Sequence, residues 1–341
     1  MLPAETVFDA LMDRAANEVT MKSVFGSLGE QRALLHEKLC GHGFSQIFLE
    51  IPLDGEAGFD LHIIHDAEDI RRGTYEENLY GNRGSLFAWY AGEPSCGDGL
   101  DVVYDLREDK EASPMVYLKM SDDTPDFDGF FRETGDEGAG RRFHALTKSL
   151  PSGWHPWYTG VHMRRKGKPL RIGSGLTDFA KRRYAGNPRF LADDLKALGF
   201  TARLSPMMID KLRELFAFPW PVDVQLDLLD DGSVGDVLGI SLCTGNMGRD
   251  ALRASLEHGD LQELMLLLES YGVSDARWKK LGNTVFQVLA LLHSDDGNKC
   301  RYILSGNLGF VKVRFQGTGA LALDAKVYLN LRAVRFGKDD G

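Results

Sequence analysis

The feature that most constrains this fold is a strand alternation in which one face is apolar and the other charged, repeated along the chain. It is clearest near the end, in Phe310-Val311-Lys312-Val313-Arg314-Phe315 and Ala325-Lys326-Val327-Tyr328-Leu329-Asn330-Leu331. Successive side chains of a strand point to opposite faces. Val311, Val313, Phe315, Val327, Leu329 and Leu331 therefore share one face, and Lys312, Arg314, Lys326, Tyr328 and Asn330 share the other. Amphipathic helices lie between the pairs and must bury their apolar stripes against something. The arrangement that satisfies both is a sheet with helices on its apolar side and its polar lanes turned to a shared interior.

Four earlier pairs repeat the pattern. They read as Ser45 to Pro52 with Gly58 to His65 around Asp54-Gly55, and Gly99 to Arg107 with Met115 to Met120. Tyr158 to Arg165 with Pro169 to Gly173 follows, and then Val222 to Leu229 with Val234 to Cys243 around an Asp-Asp-Gly-Ser turn. Helices are expected at 5–21, 29–41, 66–80, 176–198, 206–216, 249–271 and 274–293. Leu86 to Tyr90 reads as an extra strand or an approach to the second pair. The acidic, Gly-rich residues 121–140 read as a mobile loop and helix start. Pair-to-pair spacings of roughly 50 to 75 residues suggest a divergent repeat. With no Pro-rich linker, residues 1–341 are expected to form one domain.

Ten antiparallel strands favour closure, since open twisted sheets rarely exceed about ten strands and closing removes their edges. A barrel of that size leaves room for a ligand cavity. A net charge of -10 argues against a general nucleic-acid binder and against adsorption to anionic lipid. No apolar run approaches the about 18 residues of a membrane span. The start, Met1-Leu2-Pro3-Ala4-Glu5-Thr6, lacks a signal peptide's regions. Cys40, Cys96, Cys243 and Cys300 are scattered, as for reduced thiols in a cytoplasmic protein.

Five repeats of helices with an antiparallel strand pair, polar inside, resemble the ABBA prenyltransferase barrel. The segments Gly99-Leu100-Asp101-Val102-Val103-Tyr104-Asp105-Leu106-Arg107, Met115-Val116-Tyr117-Leu118-Lys119 and Ala325-Lys326-Val327-Tyr328-Leu329 look like that group's strand endings. Order and lengths are most similar to the cyanobactin-type peptide prenyltransferases, which place a catalytic Glu where Phe48-Leu49-Glu50 stands. The resemblance implies transfer of a dimethylallyl or geranyl group from its diphosphate to a Trp, Tyr or Arg side chain of a ribosomally made peptide. A free small aromatic acceptor is the close alternative.

On that reading Glu50 accepts the acceptor's proton. Lys119, Arg164, Arg171, Lys312, Arg314, Lys326, Tyr328 and His62 hold the diphosphate, whose charge requires converging cations and hydroxyls. Tyr117, Tyr328 and Tyr104, with Trp89 or Trp220, shield the allylic cation. His62 and His65 stand where family members often carry Arg, and Gly173, Gly239 and Ser241 where they place Lys or Tyr, which thins the clamp. Asp101 and Asp105, and Asp223, Gln225 and Asp227, form acidic lanes with three readings: a bidentate hold on a cationic acceptor, Mg²⁺ bridging the diphosphate, or solvent-facing residues at a barrel mouth. A reading from a different class also stands, a noncatalytic barrel or open sheet that binds an anion or a peptide.

Overall fold

Turn chemistry sets the first hairpin. Asp54 and Gly55 lie between β1 (Gln46–Pro52) and β2 (Asp60–His65), and Gly55 takes φ +68, a left-handed conformation that a side chain disfavours. The same device, Gly232 at φ +85 beside an Asp231 side chain that accepts from the Ser233 N–H at 2.9 Å, joins β7 (Val222–Leu228) to β8 (Val234–Leu242). Between these hairpins run β3 (Gly99–Tyr104), β4 (Met115–Lys119), β5 (Trp154–His162) and β6 (Leu170–Leu176). After them come β9 (Phe286–His293), β10 (Lys299–Gln316) and β11 (Ala322–Arg335). In a computed structural model of the chain, the residues described are 4–15, 18–26, 32–33, 36, 46–65, 83–92, 99–107, 114–120, 126–162, 169–245, 247–293, 299–316 and 322–336.

The strands pair antiparallel in the order β1 to β8, then β10, then β11, which pairs back onto β1. This is a closed ten-stranded barrel. Its register at closure is fixed by Glu50 opposite Tyr328 and Lys312 opposite Lys326. The outward lanes are buried and mostly apolar, as with Ile47, Leu49, Leu61, Ile63, Leu100, Val116, Ile240, Val311 and Leu329, and His65, Thr159 and Ser174 are polar members of them. They form one continuous core with the stripes of the surrounding helices. These helices are α1 (Ala4–Ala15), α2 (Glu18–Phe25), α3 (Arg83–Gly92), α4 (Phe127–Glu133), α5 (Glu137–Lys148), α6 (Asp178–Gly186), α7 (Arg189–Ala197), α8 (Pro206–Phe216), α9 (Arg249–His258) and α10 (Asp260–Ser270). Side-chain caps fix several starts: Asp126 accepts from Gly129 N, Thr177 from Ala180 N and Ser205 from Met208 N.

The barrel expected from alternation is present, and the differences are local. The helix expected over 274–293 is a 3₁₀ segment, Ala276–Thr284, followed by strand β9, which pairs with β10 from Lys299 to Gly306 outside the barrel. Val288, Ala290 and Leu292 alternate with Gln287, Leu289 and Leu291, so the period is two. Leu86 to Tyr90 belongs to helix α3, and residues 127–133 and 137–148 of the expected acidic loop are helical. The helix expected over 176–198 is broken at Asn187-Pro188, because the residue before proline disfavours helical geometry. The helix expected over 249–271 is interrupted at Gly259. The helix at 66–80 and nearly all of that at 29–41 lie outside the described residues. Cys243 and Cys300 are free thiols, and Cys40 and Cys96 lie outside the described residues. Among the described residues no helix is long and apolar enough to cross a membrane.

Candidate active site

Side chains from three neighbouring strands meet at Glu50. Tyr328, directly opposite on β11, donates its phenol to Oε2 at 2.5 Å. Lys326, two residues earlier on β11, donates its ammonium to Oε1. His62 on β2 places Nε2 at 3.0 Å from Oε2 and turns its other nitrogen, Nδ1, to Asp101 Oδ2 on β3 at 3.4 Å. Burial alone would raise the Glu50 carboxyl, but the Lys326 ammonium and the His62 hydrogen bond hold it well below the usual carboxylate range. Burial alone would lower His62, but Asp101 and then Glu50 push it up to about 9. Burial opposes ionisation of Asp101 too, and the His62 charge still holds its carboxyl low. Glu50 is thus a carboxylate gripped by an ammonium, an imidazolium and a phenol.

A second cluster lines the opposite wall. Lys312 on β10 donates to Gln225 Oε1 on β7, and the Tyr158 hydroxyl on β5 donates to the same oxygen at 3.0 Å. Burial, with repulsion from Arg171, Arg314 and Lys326, lowers Lys312 to about 7, against a smaller opposing pull from Glu50. Elsewhere on the inner lanes the cations carry their own carboxylates. Arg171 Nε donates to Asp227 Oδ1 at 2.9 Å while Nη1 donates to the Tyr117 hydroxyl at 3.2 Å. Arg314 donates to Asp324 through Nε at 2.9 Å and Nη2 at 2.6 Å. Asp60 accepts from Arg107 Nη2 at 2.8 Å and lies 3.7 Å from Lys326 Nζ.

Between these clusters lies a cavity of about 260 Å³ whose walls include Phe48, Tyr117, Tyr158, Phe310 and Tyr328. Phe310 stacks on Tyr328 with centroids 3.9 Å apart, and Tyr117 meets Tyr158 edge-on at 5.4 Å. Two glycines make room for the tyrosines. A Cβ at Gly160 would lie 2.3 Å from Tyr117 Cδ1, and one at Gly173 would lie 2.1 Å from Tyr158 Cε1. Each glycine sits opposite its tyrosine in the ladder, so the ring lies flat over the neighbouring strand. The cavity runs past Lys119, Asp101 and Asp223 to Trp157, Cys243, Gly309 and Asn330. Burial raises the Asp223 carboxyl, which accepts from the Cys243 thiol at 3.4 Å.

Of the residues singled out in the sequence, Glu50, His62, Asp101, Tyr117, Lys119, Lys312, Lys326, Tyr328 and Asp223 lie on the cavity or in the hydrogen-bonded shell around Glu50. Arg171 and Arg314 face inward but are each tied to a carboxylate. Asp227 pairs with Arg171 and Asp105 lies beyond β3, and neither lines the cavity. Tyr104 is a correction: it follows inward Val103, so alternation turns it outward, where it pairs with Leu61 and joins the main core. Trp89, on helix α3, and Trp220, stacked on Phe218, belong to that core too. Gly173 does not widen the cavity, because Tyr158 fills the space its missing side chain leaves. Arg164 lies outside the described residues. Sequence reasoning missed Phe48, Tyr158, Phe310 and Trp157 as wall residues. The signal available for Tyr158 was a glycine at the paired position of the next strand.

Among the described residues no group of three or more His, Cys, Asp or Glu side chains could hold a metal ion. Of the inward carboxylates, Asp60, Asp227, Asp324, Glu50 and Asp101 are engaged with Arg107, Arg171, Arg314, Lys326 and His62, and Asp223 accepts from the Cys243 thiol. This donor set does not fit a magnesium ion held by the protein itself.

No family model matches the sequence, and no curated protein matches it. In structure the chain is similar to 5-dimethylallyltryptophan synthase from Streptomyces coelicolor, with a TM-score of 0.53 and 13% identity over 96% of this chain and 95% of that one. At that identity the likeness bears on architecture, and what it establishes is the fold: a closed ten-stranded antiparallel barrel ringed by helices, as in the ABBA prenyltransferases.

Proposed function

We propose that the protein transfers a dimethylallyl or geranyl group from its diphosphate to a nucleophilic acceptor. The observation that carries this reading is Glu50, a largely buried carboxylate bonded to His62 and Tyr328, which line an aromatic-walled cavity inside a closed barrel. In the reaction the allylic C–O bond breaks, diphosphate leaves with the bonding pair, and the acceptor's electron pair forms the new C–C or C–N bond. The acceptor then loses a proton. Glu50 takes it, since a cationic adduct is acidic enough to protonate even a carboxylate of low basicity. Tyr117, Tyr158, Tyr328, Phe48 and Phe310 present π faces and edges to the allylic cation and keep water from it. Lys312, whose hydrogen-bond partner is the neutral Gln225, is the cation best placed to meet the incoming diphosphate, with Lys119 and His62 beside it. Magnesium, where it takes part, arrives bound to the diphosphate.

We take the acceptor to be a Trp, Tyr or Arg side chain of a peptide, with Asp101 and Asp223 on the cavity wall offering carboxylate oxygens to its N–H or O–H groups. A free small aromatic is the second reading, favoured by the likeness to a synthase whose name specifies dimethylallyltryptophan. Glu50→Gln tests the assignment. Transfer should fall by about 10²-fold or more, while calorimetric binding of a dimethylallyl thiolodiphosphate stays within a few-fold of the parent. Full transfer activity in the variant would remove Glu50 as the base, and absence of donor-analogue binding by the parent would end the prenyl-transfer reading.

A further inference from the structure

The inner surface of the barrel does not stop at its rim. β10 and β11 are 18 and 14 residues long, against 5 to 9 for the other barrel strands. Their excess continues past the cavity-lining residues Gly309 and Asn330 with β9 added at the edge. Eight β10 residues, Lys299 to Gly306, pair with β9, which at about 3.3 Å per residue extends the surface by roughly 26 Å. The outward lane of this extension is covered, with Cys300, Tyr302, Leu304 and Ala333 buried and α1 packed on β9, β10 and β11. The inward lane is uncovered. Leu289 is 67% exposed, Leu291 51%, Val334 52% and Phe336 56%. They surround Ile303, which pairs with both Leu289 and Val334.

Large apolar side chains gathered on one exposed face mark an interaction surface. Here Arg301 and Arg332 stand on the same lane, both exposed. Among the described residues of that lane there is no carboxylate, although the chain as a whole carries a net charge of -10. β9 is the last strand of the sheet, so its outer edge offers backbone groups as well.

We propose that this platform docks the polypeptide part of a peptide acceptor, an extended segment bearing apolar and acidic side chains, and so presents the adjoining residue to the cavity. The proposal rests on the peptide-acceptor reading above and names its recognition chemistry. A small aromatic needs only the cavity. A surface continuous with the cavity wall and several residues long suits an extended chain, which can add to a free strand edge while placing alternate side chains on the sheet.

The test is fluorescence anisotropy of the full-length protein with two labelled peptides, one alternating Val with Glu and one alternating Val with Lys, both without donor. The Glu peptide should bind and the Lys peptide should bind at least about tenfold more weakly. Arg301→Glu with Arg332→Glu, and separately Leu289→Ser with Leu291→Ser, should each weaken the Glu peptide at least about tenfold, a change of about 1.4 kcal/mol. Thiolodiphosphate binding should stay unchanged in both variants, since none of these residues lines the cavity. Equal binding of the two peptides, binding of neither, or insensitivity to both variants overturns the proposal. So does a parent dimer that the leucine substitutions dissociate, because the occupant is then a second copy of the chain. Peptide docking in a protein that binds no donor analogue would uphold the platform and remove prenyl transfer alone.

Discussion

His62 offers the sharpest quantitative test of the site as built. Its imidazole lies between Glu50 and Asp101 and its pKa rises from 6.5 to about 9. A group whose folded pKa is raised stabilises the fold fully below its unfolded pKa and loses that contribution as pH rises through the folded one. The His62 contribution should therefore be complete below pH 6.5 and gone above about 9. A rise of that size, at about 1.4 kcal/mol per pH unit, corresponds to about 3 kcal/mol. The perturbation is His62→Gln, which keeps a hydrogen-bonding side chain and removes the titration. Urea unfolding of parent and variant from pH 6 to pH 10 gives the stability difference at each pH. That difference should shrink with rising pH by about 3 kcal/mol. Lys312 titrates in the same range with the opposite sign, and subtracting the variant cancels it to first order. A difference that stays flat across the range would refute the imidazolium bridge, as would a His62 ring signal titrating near pH 6.5 by NMR.

Lys312, lowered to about 7, should take up a proton when a diphosphate binds at pH 8. Calorimetry in buffers of different ionisation enthalpy should show that uptake in the parent and lose it in Lys312→Met; an identical signal in both would clear Lys312 of contact with the anion. Gly173→Ala puts a methyl 2.1 Å from the Tyr158 ring, which should cost about 1–3 kcal/mol of stability as an overpacked site. The loss should largely vanish in a Tyr158→Leu background, and an equal loss there would mean the ring is not what the methyl meets.

The barrel was legible because its cause is local and repeated. Apolar lanes such as Val311, Val313 and Phe315 need a covering layer, and helices such as 206–216 supply one. Lys326 and Tyr328 are legible for the same reason, since alternation places them on the inner lane, whereas Glu50 stands out only through the family resemblance. The failures have equally physical origins. The short apolar run Val288 to Leu292 of β9 fits a helix or a strand period when read by itself, and only pairing with the long β10 decides. Tyr104 has the chemistry of an inner wall residue, but alternation with inward Val103 puts it outside. Least legible was the pairing of charges. That Arg171 is held by Asp227 and Arg314 by Asp324 depends on strand order and register, which no single segment contains.

That pairing changes what the inner cations can do. A barrel lined with uncompensated lysines and arginines would bear a desolvation penalty of several kcal/mol per buried ion. Here much of it is offset inside the protein: Arg171 by Asp227, Arg314 by Asp324, and Lys326 by Glu50 and Asp60. The interior is therefore foldable with no anion bound, and a diphosphate gains little from cations already satisfied unless it displaces their carboxylates. Lys312 differs, because its hydrogen-bond partner Gln225 is neutral and the surrounding cations already weaken its hold on a proton. An arriving anion relieves that repulsion and recharges the amine, so Lys312 gains most in the bound state. The recharged Lys312, rather than the compensated arginines, should then set how easily diphosphate departs from the allylic carbon.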